Sequence, residues 1–277
     1  MNERLRALGW SLLFLLGGYF LGLVLLVLAG QFLPAPVPDS LFEASIETGA
    51  LLVAYGGLTW LIGVRVLKLG AADFGFAPVQ RGLRGFGWGA LVGVGLAALA
   101  MALAVPLGHA AWRNDGGTLL QWLGTVGFTA LILLPAAFAE ELAFRGVPLI
   151  AISRGFGRVP ALVVLAVLFG FAHLDNDHVT GLALANLALA GVLLGVAFFT
   201  PGGLWTSTGV HLGWNLTLAA LAAPVSGTPL PMPWLDYSMG GPRWLTGGAF
   251  GPEGGVIATL CMVLGVVLAS RRKEVRA

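Results

Sequence analysis

The chain has 277 residues, of which 57% are apolar and 10% charged, with a mean hydropathy of +0.89. Soluble domains carry roughly 25% charged residues, so this composition excludes an ordinary soluble protein and marks an integral membrane one. The net charge of +2 carries no nucleic-acid inference, because the basic residues stand at the ends of apolar runs, where they orient a chain in a bilayer.

The start, MNERLRALGW, is a basic flank followed by an apolar run reaching about Pro34. That run is too long for a signal peptide and ends without a small-residue cleavage site, so it predicts a retained first span over 9–33. At ~20 apolar residues per crossing, further spans are expected over 46–67, 85–108, 118–150, 160–174, 181–199, 204–223 and 254–270. The expected fold is therefore all-α: a polytopic membrane protein of about eight transmembrane helices enclosing a polar cavity, forming one integral membrane domain over 1–277. The segment 160–174 is the shortest of these. Glycine and proline mark the joints at Gly155 and Pro160, at Pro201 to Gly203 and at Pro224. The Gly- and Pro-rich stretch 224–253 reads as a surface loop.

Lysine and arginine give the expected orientation. With a cytoplasmic N-terminus and eight crossings, one side receives Arg4, Arg6, Arg65, Lys68, Arg81, Arg84, Arg145, Arg154, Arg158, Arg271, Arg272, Lys273 and Arg276. The other receives only Arg113 and Arg243, a division of 13 against 2 in the sense of the positive-inside rule. Both termini are thus expected in the cytoplasm. Trp10, Trp122 and Trp205 lie near span ends and read as interfacial anchors. His109 and His178, near Arg113, Asp115, Asp175 and Asp177, read as solvated loop residues. Cys261 is the lone cysteine, which excludes an intrachain disulfide and a multi-cysteine metal site.

Ionisable groups within a bilayer cost ~2.5–3.5 kcal/mol each on insertion scales and default to a functional reading. Within the spans these are Glu140, Glu141, Arg145, His173 and His211, together with the amide of Asn215. Glu47 and Asn186 fall in or near spans without a companion motif. Glu141 and Arg145 are four apart with the acid first, the favourable order for an ion pair on one helix face. Glu140 lies about 140° around the helix from Arg145, on another face and without a local partner. His173 has Phe169 four residues before it. His211 and Asn215, also four apart, leave one face of their helix.

Alone, each group has a plain structural use: a packing network, a hydrogen-bonded core histidine, or interhelical glue. Counting ~1.5 Å per residue from the arginine-rich ends puts Glu140 ~15 Å, His173 ~20 Å and His211 ~10 Å deep. Three spans thus place polar groups in one overlapping layer, as residues lining one cavity would. A carboxylate, two imidazoles and an amide suit hydrolysis. Glutamate can act as general base toward water, one histidine can share that water or carry the proton to the leaving amine, and a second histidine with an amide can bind a developing oxyanion. Glu140, His173 and His211 would also suit Zn²⁺ with an open fourth position, although no HExxH is present. The same buried charges could instead serve as a relay in a transporter or proton-coupled channel.

At these residues the chain resembles the CAAX-protease and bacteriocin-processing family of intramembrane proteases, also called the Abi family. Its signature is EExxxR, then FxxxH, then HxxxN. Here these are Glu140-Glu141 with Arg145, Phe169 with His173, and His211 with Asn215, in that order. The resemblance spans residues 118–223, the expected catalytic core. It implies an eight-helix fold with a catalytic cavity inside the bilayer, open on the cytoplasmic side. It implies that Glu140 and His173 activate the water, that His211 and Asn215 bind the oxyanion, and that Glu141, Arg145 and Phe169 support them. The implied substrate is a peptide or protein, prenylated or otherwise membrane-associated, and not a nucleic acid. The glycine-rich chain with little extramembrane mass fits the bacterial peptide- and bacteriocin-processing relatives, hence a bacterial plasma membrane. A non-catalytic immunity scaffold with the same fold is the remaining alternative.

Overall fold

The structure is a computed structural model describing residues 3–33, 41–76, 78–108 and 110–272. His109, Lys273 and Arg276 lie outside these. The helices are α1 (Glu3–Phe32), α2 (Leu41–Leu58), α3 (Val79–Gly108), α4 (Leu119–Arg145), α5 (Val147–Phe156), α6 (Arg158–Phe171), α7 (Gly181–Phe198), α8 (Leu204–Ala220), the single turn α9 (Arg243–Thr246) and α10 (Val256–Arg271). A π-helical stretch, Thr59–Val66, prolongs α2. Two short strands, β1 (Ala110–Arg113) and β2 (Asp236–Met239), pair antiparallel.

Among the described residues, five helical segments are long and apolar enough to cross a bilayer: Glu3–Phe32, Phe42–Val66, Val79–Gly108, Leu119–Phe156 and Gly181–Phe198. Their outer faces are apolar as well, with Leu91 and Leu120 at 74% and 80% exposure. Helices hydrophobic all round suit hydrocarbon rather than water. The segments expected at 160–174, 204–223 and 254–270 form helices of 14, 17 and 16 residues, about 21–26 Å long and shorter than a ~30 Å hydrocarbon core.

The structure changes two sequence expectations. The segment 118–150 is not one helix. Thr118 caps α4 with its hydroxyl on the Gln121 amide while Gln121 returns a bond to the Thr118 amide, and α4 then stops at Arg145. Gly146 turns the chain with ψ −123°, a position where a Cβ would sit 2.4 Å from the Leu142 carbonyl. Pro148 then opens α5, where a missing N–H costs nothing. The stretch 224–253 is likewise more than a surface loop. It supplies β2 and α9, and it buries Val225, Met232, Thr246, Phe250 and Glu253.

Two apolar cores result. One gathers α3, α7, α8 and α10, the other α1, α2, α4 and α5, and Phe144 of α4 packs against both. The most intimate contact is α3 on α8. Cβ atoms added at Gly89 and Gly93 would lie 2.2 Å from the Thr206 and Val210 carbonyls, and at Gly209 and Gly213 they would lie 2.3 and 2.4 Å from those of Phe86 and Ala90. With no hydrophobic driving force between helices in lipid, such small-residue faces let backbones meet. Tryptophans add staples: Trp122 donates to the Ala220 carbonyl at 2.8 Å, and Trp205 stacks on Phe138 at 5.5 Å.

Gly89→Ala and Gly93→Ala are each expected to destabilise the bundle by roughly 1–3 kcal/mol through overpacking, read as a lower thermal midpoint in detergent. Gly87→Ala, where a Cβ meets nothing within 4 Å, is the matched control and should hold or slightly raise the midpoint. Equal midpoints for Gly89→Ala and Gly87→Ala would contradict the close α3–α8 approach.

Candidate active site

Adjacent residues of α4 divide at the seam between the two cores. Glu141 is completely buried, and its Oε1 meets Arg145 Nη1 at 3.1 Å across one helical turn. The same oxygen meets His211 Nδ1 on α8 at 3.0 Å. Arg145 is 2% exposed. It donates through Nη2 to the Gly191 carbonyl of α7 at 3.1 Å, and its guanidinium lies 4.5 Å over the Phe169 ring of α6. Four helices thus close around one carboxylate and one guanidinium.

Glu140 turns the other way. It lines a cleft of about 590 Å³ together with His173, His211 and Asn215. Its side chain is 38% exposed, and Oε2 stands 3.9 Å from His211 Nε2.

The two imidazoles are fixed through their Nδ1 atoms. His173 Nδ1 lies 2.7 Å from the Phe169 carbonyl. A carbonyl only accepts, so Nδ1 carries the proton and Nε2 is the free base in the neutral ring. The His211 Nδ1 is held by Glu141 in the same way, leaving its Nε2 toward Glu140. Phe169, buried at 2%, has its ring 4.8 Å from His173 and 6.2 Å from His211. One phenyl ring therefore spaces both histidines and floors Arg145.

Glu140, His173 and His211 do not form a ligand set for zinc. Among the described residues no group of three His, Cys, Asp or Glu side chains could hold a metal ion.

The cleft is also lined by Ala44 and Glu47 of α2, Asn176 after α6, and Ser226, Thr228 and Leu230 after α8. These lie at the end of the bundle that carries the β1–β2 pair. At the opposite end, Arg154 pairs with Asp73 at 2.5 Å and Arg4 donates to the Gly155 carbonyl at 3.2 Å. The cleft lining therefore reaches from Glu140 toward the end of the bundle that carries the β1–β2 pair. His178 is exposed, as expected of a loop residue.

Glu253 is the cleft residue that sequence motifs did not single out. It is 3% exposed and accepts from Trp214 Nε1 at 3.0 Å, from Ser226 Oγ at 3.0 Å and from the Ser226 amide. Burial pushes its carboxyl above the usual range, against the hydrogen bonds from Ser226 and Trp214. The available signal was a single charge in GPEGGV, just before an apolar run. Asn186, left without a role by the sequence, donates to the Glu253 and Gly255 carbonyls at 2.7 and 3.0 Å.

The fold and site define a polytopic membrane protein with an acid, two oriented imidazoles and an amide gathered in one interhelical cleft. Residues 120–217 match the family model described as Rce1-like, type II CAAX prenyl endopeptidase Rce1-like, and this stretch contains all three motifs. The match agrees with the CAAX-protease and bacteriocin-processing family that the motifs resemble, which is a family of membrane proteases. No curated protein and no solved structure matches the chain.

Arg145→Ala is expected to cost roughly 3–5 kcal/mol, because it strands the buried Glu141 charge. Glu140→Ala, at a cleft surface, should cost under about 1 kcal/mol. Unfolding in detergent checks the order; a well-folded Arg145→Ala beside a destabilised Glu140→Ala would exchange the two glutamates' roles.

Proposed function

We propose that the chain is an intramembrane endopeptidase that hydrolyses peptide bonds with a water activated by Glu140 and His173. The observation that carries this reading is the division of the paired glutamates. Glu141 is withdrawn to neutralise Arg145 and hold His211, while Glu140 faces the cleft 3.9 Å from His211 Nε2 and shares that cleft with His173, whose ring is held through Nδ1. The match to a family of CAAX prenyl endopeptidases supports the reaction class.

In this mechanism water sits between Glu140 and His173 Nε2. Glu140 takes one of its protons as the oxygen attacks the scissile carbonyl. The carbonyl oxygen gains the charge and is met by the Asn215 amide and, in the doubly protonated ring, by His211 Nε2. Collapse breaks the C–N bond, and the proton held by Glu140 passes to the leaving amine. Water's second proton follows to the amine, so the products are a carboxylate and an ammonium, and no other reactant is consumed. Glu141, Arg145 and Phe169 keep the groups in register. Residues 118–223 form the catalytic core, within eight crossings and with both termini on the cytoplasmic side of a bacterial plasma membrane. Substrates are membrane-associated peptides or proteins.

In proteoliposomes, a peptide-library screen should find substrates that wild type cleaves and Glu140→Gln does not, with at least ~10²-fold loss for Glu140→Gln and His173→Ala, the low end of general acid–base catalysis. Asn215→Ala should lose about 10²–10³-fold in kcat, as loss of an oxyanion donor does. Equal cleavage by wild type and Glu140→Gln would overturn the proposal. Elemental analysis of active enzyme, with chelator treatment, tests metal dependence; the residues as placed predict activity that survives chelation.

A further inference from the structure

Glu253 is the only charged residue between Arg243 and Arg271, and the mechanism above does not use it. It is buried in the cleft wall, and its three side-chain hydrogen-bond donors are all neutral: one indole, one hydroxyl and one amide. A buried carboxylate is costly unless fully hydrogen-bonded, so its retention asks for a use.

Each donor leads to a motif. Trp214 lies inside HxxxN, three residues after His211 and directly before Asn215. Its indole nitrogen on Glu253 Oε1 fixes the rotation of α8 about its axis. Ser226, held on Oε2 through both its amide and hydroxyl, accepts from Asn176 Nδ2 at 2.7 Å through its own carbonyl. Asn176 belongs to the turn that begins at His173, whose carbonyl accepts the Asn176 amide at 3.2 Å. The Glu253 backbone is itself clamped to α7 by Asn186, whose Oδ1 accepts from Thr259 Oγ1 of α10 at 2.7 Å. The carboxylate thus joins the helix of one histidine to the turn of the other, from a segment anchored to two further helices.

We propose that Glu253 is a positioning residue of this hydrolytic site, setting His211 and Asn215 in register with His173 through Trp214 and Ser226. The inference deepens the peptidase reading and rests on it for its catalytic consequence. Its geometric core does not depend on that reading. Glutamine at 253 would keep the shape and one acceptor oxygen, but it would present an NH₂ group where Ser226 donates. Packing alone would tolerate Glu253→Gln, and the frame would not.

The test combines hydrogen exchange with kinetics on the full chain in detergent or proteoliposomes. Glu253→Gln should raise amide exchange in 173–180 and 211–230 while leaving 3–33 and 147–156 unchanged. It should lower kcat on the order of 10- to 100-fold, the scale of a misplaced catalytic group, with KM within about twofold. Trp214→Phe, which removes one donor, should give a smaller loss, and the double variant should lose less than the product of the two. Should Glu253→Gln fail to fold, Trp214→Phe carries the same two readouts. Unchanged exchange in both segments overturns the frame, and loosened segments with an unchanged kcat overturn its role in the reaction. Loosened segments in a protein whose wild type cleaves no peptide would leave the frame standing and remove the peptidase reading.

Discussion

The buried carboxylate of Glu141 is the constraint on which the rest of the site depends. A charge with no exposed surface must be met where it stands, because removing one partner of a buried pair leaves an uncompensated ion. Here one oxygen meets both a guanidinium on its own helix and an imidazole on α8. Arg145 in turn needs the Gly191 carbonyl and the Phe169 face. Pairing the Oε1 of one anion therefore ties α4, α6, α7 and α8 together. Those are the helices or helix ends that carry Glu140, Phe169, His173, His211 and Asn215. The pair is better understood as setting geometry than as adding stability, since desolvation offsets much of the Coulomb attraction.

Backbone packing supplies the second constraint. His211 can reach Glu141 only if α8 sits deep in the bundle, and α8 is short. The glycines at 85, 89 and 93 on α3 and at 209 and 213 on α8 strip side chains from the shared face, so the two backbones approach within carbonyl contact. Gly209 and Gly213 flank His211 by two residues on either side. Their face rests on α3 while the histidine leaves another side of the helix, toward α4. The small residues and the cleft-lining ones thus divide the circumference of one helix.

What was legible in the sequence was local. The i, i+4 spacing of Glu141 and Arg145 gave their ion pair, and the same helix geometry put Glu140 on a different face. What was not legible was tertiary. His211 lies 70 residues from Glu141, and nothing in either motif states that they share a hydrogen bond. Gly146 and Pro148 were visible, yet apolar continuity on both sides hid the helix break between them. The stretch 224–253 looked like a surface loop because glycine and proline dominate it, while its burial rests on a few residues such as Phe250 and Glu253. The Gly85, Gly89, Gly93 and Gly209, Gly213 spacings were a readable small-residue pattern, and they carry the contact that seats α8.

The doubled glutamate follows from these constraints. A site that needs a carboxylate free to exchange protons with water cannot also commit that carboxylate to a guanidinium, because a permanent cation would hold it ionised. A helix placing ionisable groups inside a bilayer must still neutralise them. Two adjacent acids resolve the conflict, since successive residues on an α-helix point about 100° apart. Glu141 takes Arg145 and His211 on the buried side, and Glu140 remains within 3.9 Å of the same imidazole from the cleft side. His211 thus stands between a structural carboxylate on Nδ1 and a cleft carboxylate near Nε2. Arg145 stands four residues after Glu141 and five after Glu140, so the ion pair forms on the Glu141 face and leaves Glu140 to the cleft. The different roles of the two glutamates in EExxxR are therefore set by their spacing from the arginine.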